Sequence, residues 1–235
     1  MPNEFLWFVL MIVNFIGILV FYRYMGKTGL YIWTAIAAII ANIQVVKTVE
    51  LFGFVATLGN IVYGTTFLVT DILSENYGKK DARKAVVVGF MSLITMTIMM
   101  QIAIVFKPDV SDFSQEALTT IFSFMPRIVI ASLTAYWFSQ LHDIWAYHLW
   151  KNRFPQKKFL WMRNNFSTMV SQFIDSVVFC FIAFWGVFEL SVFWSILWTT
   201  YIFKWIVAAA DTPFLYLAKN MHDKGKINEL VSTDK

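Results

Sequence analysis

Charge is what this sequence has least of. Only 14% of its 235 residues are Asp, Glu, Lys or Arg, against 58% hydrophobic, whereas a soluble domain carries about 25% charged residues. So little polar surface excludes a water-soluble globular domain. Cysteine is nearly absent: Cys180, inside an apolar run, is the single one. That rules out an internal disulfide and any cysteine-based metal site. The three histidines, His142, His148 and His222, form no pair at zinc-enzyme spacing. There is no Gly-x-Ser-x-Gly frame and no Walker A sequence, so neither a serine hydrolase nor a nucleotide hydrolase is expected. No cofactor and no metal are expected, and no catalytic residue is assigned. The formal charge of +4 is small and its basic residues lie between apolar runs, which argues against nucleic acid as a partner. The start, Met1-Pro2-Asn3-Glu4, lacks the positive region of a signal peptide, so the first apolar run is expected to be a retained helix.

What is present is aromatic and apolar. Aromatics reach 18%, with ten Trp and 24 Phe, which suits a bilayer with aromatic belts at its interfaces. A spanning helix needs roughly 20 mostly apolar residues, and seven stretches qualify: approximately 5–22, 30–46, 54–76, 85–106, 118–142, 167–187 and 192–218. The expected fold is all-α, a polytopic membrane protein with a single transmembrane domain over 1–235 and a polar cytoplasmic tail at 219–235, frayed or lying on the surface. Fifteen of the nineteen Lys and Arg fall in alternate connections, around Arg23, Lys79, Lys151 and Lys219. By the positive-inside rule the N-terminus is outside and the C-terminus in the cytoplasm. Lys107-Pro108-Asp109 opens an acidic outer loop, and Phe154-Pro155 lies in the longest basic inner one.

Ionisable groups at membrane depth cost at least about 2.5–3.5 kcal/mol each on the insertion scale, and persist by pairing or by lining a wet cavity. Here they are numerous: Asp71, Glu75, Arg127, Asp143, Asp175, Lys204 and Asp211, with Asn42, Asn60, Gln101, Gln140 and Gln172. Structural ion pairs, such as Arg127 or Lys204 with Asp175 or Asp211, explain some of them, and Glu75, beside Lys79 and Lys80, also suits a solvated surface pair. Pairing alone does not explain the whole set. Two copies of Ser-Gln-x-x-Asp, Ser139–Asp143 and Ser171–Asp175, sit on successive helices running in opposite directions, an arrangement some transporters use to build a site. A lone Lys204 near the middle of the last helix also fits a retinal protein, but Thr200 stands where microbial members of that class carry an Asp.

The run Phe67-Leu68-Val69-Thr70-Asp71-Ile72-Leu73-Ser74-Glu75-Asn76-Tyr77-Gly78, followed by Lys79-Lys80-x-Ala82-Arg83, resembles the signature of the queuosine-precursor transporter family, also called the vitamin-uptake-transporter family. Ser139-Gln140-x-x-Asp143 with its basic loop agrees. So does Arg163-Asn164-Asn165-x-Ser167-Thr168-x-x-Ser171-Gln172-x-x-Asp175, and Arg127 and Lys204 fall where the family places an Arg and a Lys. The resemblance covers roughly residues 30–220. It implies a six-helix transporter core, preceded here by one extra N-terminal helix, in a bacterial cytoplasmic (inner) membrane. It also implies uptake of 7-cyano-7-deazaguanine, 7-aminomethyl-7-deazaguanine and queuine for tRNA modification. A guanine-like edge presents N1–H and a 2-amino group to a carboxylate, for which Asp175 stands first, then Asp143 and Asp71. The O6 atom needs a donor, from Lys204, Gln172, Gln140 or Asn42, and Arg127 completes the candidate set. Base–aromatic stacking is worth roughly 1–3 kcal/mol, but no single aromatic is singled out. Partners expected are the 7-deazaguanine substrate and the lipid bilayer, with a homodimer left open.

Overall fold

A computed structural model describes residues 2–187 and 189–230. In chain order it contains α1 (Asn3–Gln44), β1 (Thr48–Leu51), β2 (Phe54–Thr57), α2 (Gly59–Asn76), α3 (Lys79–Val105), α4 (Gln115–Phe122), α5 (Met125–Arg153), α6 (Leu160–Phe184) and α7 (Leu190–Asp223). Five helical stretches, Asn3–Gln44, Lys79–Val105, Gln115–Arg153, Lys157–Phe184 and Phe193–Asp223, are long and apolar enough to cross a bilayer.

The first two expected helices, 5–22 and 30–46, are not separated by a loop. Helical hydrogen bonding continues to either side of Gly26, whose φ of 57° and ψ of −142° break α1 into limbs 3–25 and 27–44. The limbs double back on each other. The Trp33 ring lies against Gly17, the Phe21 carbonyl lies against Gly29, and the Phe21 and Trp33 rings are 5.3 Å apart. At 1.5 Å per residue, residues 17 and 33 of a straight helix would be about 24 Å apart. One glycine therefore makes the whole turn, in a backbone region that only glycine occupies without strain. The tail straps this turn: the Asn228 amide donates to the Arg23 carbonyl at 2.9 Å, and the Glu229 carboxylate accepts from the Lys27 amide at 3.1 Å and from the Tyr77 hydroxyl. The expected surface tail is thus helical to Asp223 and docked through Glu229, while 231–235 lie outside the described residues. A Cβ at Gly26 would collide with the Glu229 carboxylate. Gly26→Ala is therefore expected to cost about 1–3 kcal/mol, seen as a lower thermal midpoint in detergent. An unchanged midpoint would show that the turn tolerates a side chain.

The third expected helix, 54–76, begins instead at Gly59. Thr48–Leu51 and Phe54–Thr57 pair antiparallel, Leu51 opposite Phe54, across a two-residue turn with positive φ at Phe52 (53°) and Gly53 (80°). Positive φ at both central positions is the signature of the I′ hairpin turn. Hydropathy alone does not separate such an apolar hairpin from a helix start, so the all-α expectation misses these strands. The expected helix 118–142 is split at Ser123 and Phe124 into α4 and α5, with Pro126 in the first turn of α5. At its other end α5 runs to Arg153, and α6 begins at Leu160 rather than 167. Both extensions carry charge that hydropathy reads as loop; Asp143 and Arg163 are buried against neighbouring helices, while Lys151 is half-buried and Arg153 exposed.

The packing is inside out relative to a soluble bundle. On α6, Arg163, Asn164, Ser167, Thr168, Ser171, Gln172, Asp175 and Ser176 are buried, while Trp161, Phe166, Met169, Val170 and Phe173 are exposed. A polar stripe recurring every three to four residues marks one helix face, and that face turns inward. α2 (Asn60, Thr66, Thr70, Asp71, Ser74), α5 (Ser132, Ser139, Gln140, Asp143) and α7 (Thr200, Lys204, Asp211) bury matching stripes. Together they make a polar column inside an apolar shell, an arrangement that suits lipid outside and a polar path within.

Candidate functional site

The centre of the column is a buried ion pair. The Lys204 ammonium on α7 donates to Asp175 Oδ2 on α6. Asp175 Oδ1 accepts from the Tyr63 hydroxyl at 2.5 Å and from Ser139 Oγ at 3.1 Å. The ammonium also lies 4.7 Å from the centre of the Tyr63 ring and 5.6 Å from that of Phe179. Four helices therefore meet at one carboxylate. Both charges are shielded from water, and a buried pair survives only with such hydrogen bonds around it.

Beside the pair lies a narrow cleft of about 20 Å³, room for little more than a water molecule, lined by Asn42, Asn60, Tyr63, Ser132, Asp175 and Lys204 among others. Its polar groups are partly free. Asn42 donates Nδ2 to the Ala38 carbonyl at 2.9 Å, which leaves Oδ1 unpartnered, and Asn60 Nδ2 is unpartnered too. The cleft thus offers a carboxylate, an ammonium, a spare acceptor, a spare donor and two aromatic rings. The walls stand close, so a purine-sized ring enters only when Tyr63 or the ion pair moves aside. A second, larger cavity of about 210 Å³ shares Val45 with the cleft and continues toward the β-hairpin through Thr48, Thr57 and Thr200.

Toward the opposite end, where Arg23, Lys79, Lys151 and Lys224 gather, the column is closed. Glu75 accepts from Arg163 at 3.0 Å and from the Tyr147 hydroxyl at 3.1 Å, with Lys151 at 3.4 Å and Lys219 at 3.7 Å. Lys151 also caps α2 through the Ser74 and Glu75 carbonyls at 3.1 and 2.8 Å, as a cation does at a helix C-terminus. Glu75 is not the solvated partner of Lys79 and Lys80 that its position at a helix end suggests: it ties α2, α5, α6 and α7 together.

The expected site residues separate into groups. Asp175, Lys204 and Asn42 come together at the cleft. Gln140 accepts from Thr70 at 3.1 Å and donates to Thr66 at 3.4 Å, fixing α5 to α2 just below. Gln172, fully buried and unpartnered at both amide atoms, lies one helical turn before Asp175. Asp143 and Asp71 are not at the cleft: with Asp211 they form a separate acidic cluster toward the closed end. Arg127 is exposed at the other end, donating to the Ile182 and Trp185 carbonyls at 3.1 and 3.0 Å. It satisfies the last carbonyls of α6, so Arg127→Ala is expected to loosen that helix end while leaving substrate affinity within about twofold. A tenfold weaker binding isotherm would instead place the arginine in the site. Tyr63, Ser132, Ser139 and Phe179 are site residues that the sequence does not announce. Of these, only the serine of the repeated Ser-Gln-x-x-Asp carried a signal.

That repeat acquires a meaning in three dimensions. α5 and α6 run antiparallel, so the two copies face each other: Ser139 donates to Asp175, and Ser171 faces Asp143 in return. The two copies are not equivalent: Asp175 accepts from Ser139, whereas Ser171 donates to the Ser167 carbonyl and leaves Asp143 without its hydrogen bond.

A family model described as "Putative vitamin uptake transporter" matches residues 57–218, a stretch that holds the cleft residues other than Asn42 and its neighbours on α1. The chain is 47% identical over 221 residues to the "Probable queuosine precursor transporter" of Bacillus subtilis (strain 168), spanning 94% of this chain and 96% of that one. It is 25% identical over 217 residues to the "Queuosine precursor transporter" of Escherichia coli (strain K12), spanning 88% and 95%. Both alignments run nearly end to end, so the likeness extends beyond the matched stretch to α1. No solved structure matches the chain.

Proposed function

Because the chain belongs to the vitamin uptake transporter family, we propose that it imports queuosine precursors, 7-cyano-7-deazaguanine and 7-aminomethyl-7-deazaguanine first, through the cytoplasmic membrane of a bacterium. The observation that carries this reading is the Asp175–Lys204 pair beside a cleft inside an apolar shell. The whole chain acts as one transmembrane domain. Seven spans follow when the two limbs of α1 are counted separately and α2 is included, with limb 3–25 preceding a six-helix core. The end bearing Arg23, Lys79, Lys151 and Lys224 faces the cytoplasm, by the positive-inside rule.

On this reading the present conformation is open toward the outside and shut toward the cytoplasm. Substrate enters past Thr48 and Thr200 to the cleft. Asp175 accepts N1–H and the 2-amino group in a bidentate contact, Lys204 or Asn60 donates to O6, and Tyr63 or Phe179 lies along the ring. Asp175 and Lys204 satisfy one another when the site is empty and part onto substrate when it is full. Neither charge is then left unpaired in the interior, where an isolated charge is costly. Release follows when the contacts around Glu75 open. The site binds and does not react, so no chemical step is assigned to it.

The test is the queuosine content of tRNA in cells that neither make nor import the precursors. With the chain expressed and nanomolar 7-cyano- or 7-aminomethyl-7-deazaguanine supplied, queuosine is expected to return. If protein shown to be in the membrane restores none, the substrate assignment fails and other flat heterocycles follow as candidates.

A further inference from the structure

We propose that Asp71, Asp143 and Asp211 form a proton-binding site that couples substrate uptake to the proton gradient; this rests on the importer reading of the neighbouring cleft. The three carboxylates come from α2, α5 and α7, all are fully buried, and they face one another. Asp211 lies seven residues from Lys204 on α7, about 10 Å toward the closed end. The cluster is therefore beside the substrate cleft on the route out of it, but does not line it.

Its donors do not match its acceptors. Asn164 Nδ2 donates to Asp211 Oδ1 at 2.7 Å, and Thr168 Oγ1 reaches Asp71 Oδ2 at 3.4 Å. Asp71 Oδ1, both oxygens of Asp143 and Asp211 Oδ2 have no partner. The hydroxyls of Ser167 and Ser171 face Asp143 but are directed to the Asn164 and Ser167 carbonyls of their own helix, and Ser171 Oγ also lies 2.9 Å from His142 Nδ1, whose ring is taken up by that serine and not by a carboxylate. The cations toward the basic end, Arg163, Lys151 and Lys219, are engaged by Glu75, and Tyr147 donates there as well. Among the described residues no Lys or Arg forms an ion pair with these carboxylates, and three like charges in a fully buried space cannot all stay ionised. Positive charge must come from outside the chain.

Two further observations point to that missing cation. Asn164 is fully buried and aimed into the cluster, yet its Oδ1 is unpartnered, an acceptor waiting for a protonated neighbour. The inverted repeat supplies the second. In one copy Asp175, met by Ser139, has Lys204 as its cation; in the other, Asp143, facing Ser171, has none. Among the described residues no group of carboxylates converges closely enough to hold a metal ion, whereas protons need only bridge pairs of oxygens. Protons bound here neutralise the cluster and let the polar column rearrange toward the cytoplasmic side, where they are released.

The protein in liposomes tests this with labelled 7-cyano-7-deazaguanine and the membrane potential clamped. With one proton per substrate, a pH difference of one unit, alkaline inside, is expected to sustain about a tenfold accumulation. Asp211→Asn, which keeps the shape of a protonated carboxyl, is expected to lower that ratio to one while exchange of labelled for unlabelled substrate continues. Exchange by the wild type without accumulation, or accumulation driven by a sodium gradient alone, overturns the proton site and leaves the importer reading standing. A second readout does not depend on transport. An apolar carbodiimide, which reacts with protonated carboxyls, is expected to label one of the three aspartates, with labelling falling as the pH rises. Labelling without any substrate exchange sinks the importer reading and keeps the proton site; absence of labelling sinks the proton site.

Discussion

Asp175→Asn is expected to abolish precursor uptake. The carboxylate offers two charge-assisted hydrogen bonds to a guanine-like edge, each worth about 1.5–3 kcal/mol. Asparagine keeps one neutral acceptor but turns an N–H donor toward the other position, so one such bond and the charge behind the second are lost, about 3 kcal/mol or roughly 150-fold in binding. The substitution also strands Lys204, which is 3% exposed and has Asp175 as its ion-pair partner. Removing one partner of a buried pair costs about 3–5 kcal/mol of stability, so loss of uptake by itself does not separate binding from folding. The double variant Asp175→Asn with Lys204→Gln separates them. It carries no unpaired charge, and its thermal midpoint is expected to recover most of the loss while uptake stays absent. Queuosine in tRNA and a melting curve in detergent read the two effects. If the double variant transports as well as the wild type, the pair is structural and the substrate is held elsewhere in the column.

Glu75→Gln is expected to open the closed end. Three cations, Arg163, Lys151 and Lys219, converge on this one carboxylate, and Arg163 is fully buried. Lys219 keeps Asp223 at 3.2 Å, but a neutral amide leaves the buried Arg163 without its counter-charge, at a cost of about 3–5 kcal/mol. At about 2–4 °C per kcal/mol for a chain of this size, the thermal midpoint falls by about 6–20 °C. The helices held by Glu75 then separate more readily. A cysteine at Ser167, placed in a Cys180→Ala background, is expected to react about tenfold faster with a polar alkylating reagent applied to the basic end. Unchanged melting and unchanged labelling would mean that this cluster does not close the path.

Both predictions rest on features that differ in how far the sequence discloses them. That the chain is a membrane protein follows from composition alone, since too few charged residues are present to clothe a soluble fold. The deep polar residues were also legible, because Asp175 and Lys204 lie in apolar runs where each demands a partner. Their pairing was one expectation among several, with Arg127 and Asp211 as the rival partners. Asp175 and Lys204 are 29 residues apart, and nothing local chooses Lys204 over Arg127 as the cation. The choice is made by the antiparallel packing of α5 on α6 and of α6 on α7, which sets Lys204 at the depth of Asp175 and Arg127 at the end of α6.

A break between residues 22 and 30 was legible, but not that the single Gly26 makes it, and the hairpin at Thr48–Thr57 was missed altogether. Hydropathy averages over a window, so it reports apolar length and cannot see a single residue with positive φ. For Glu75 the sequence left a solvated pair and a buried role equally open, and the three helices that bury it decide between them.

By itself, then, the sequence determined the class of the protein, its apolar segments, the alternation of basic connections and the set of polar residues that lipid would not tolerate. Each of these depends on the solvation of single residues or short windows, which does not require knowing what lies across the bundle. Only the tertiary structure decided how that set is divided: Asp175 with Lys204 at a cleft, Asp71 with Asp143 and Asp211 in a cluster short of positive charge, and Glu75 with three cations at the closed end. Electrostatic partnership is a matter of distance and burial, and helices far apart in the chain fix both only when they pack.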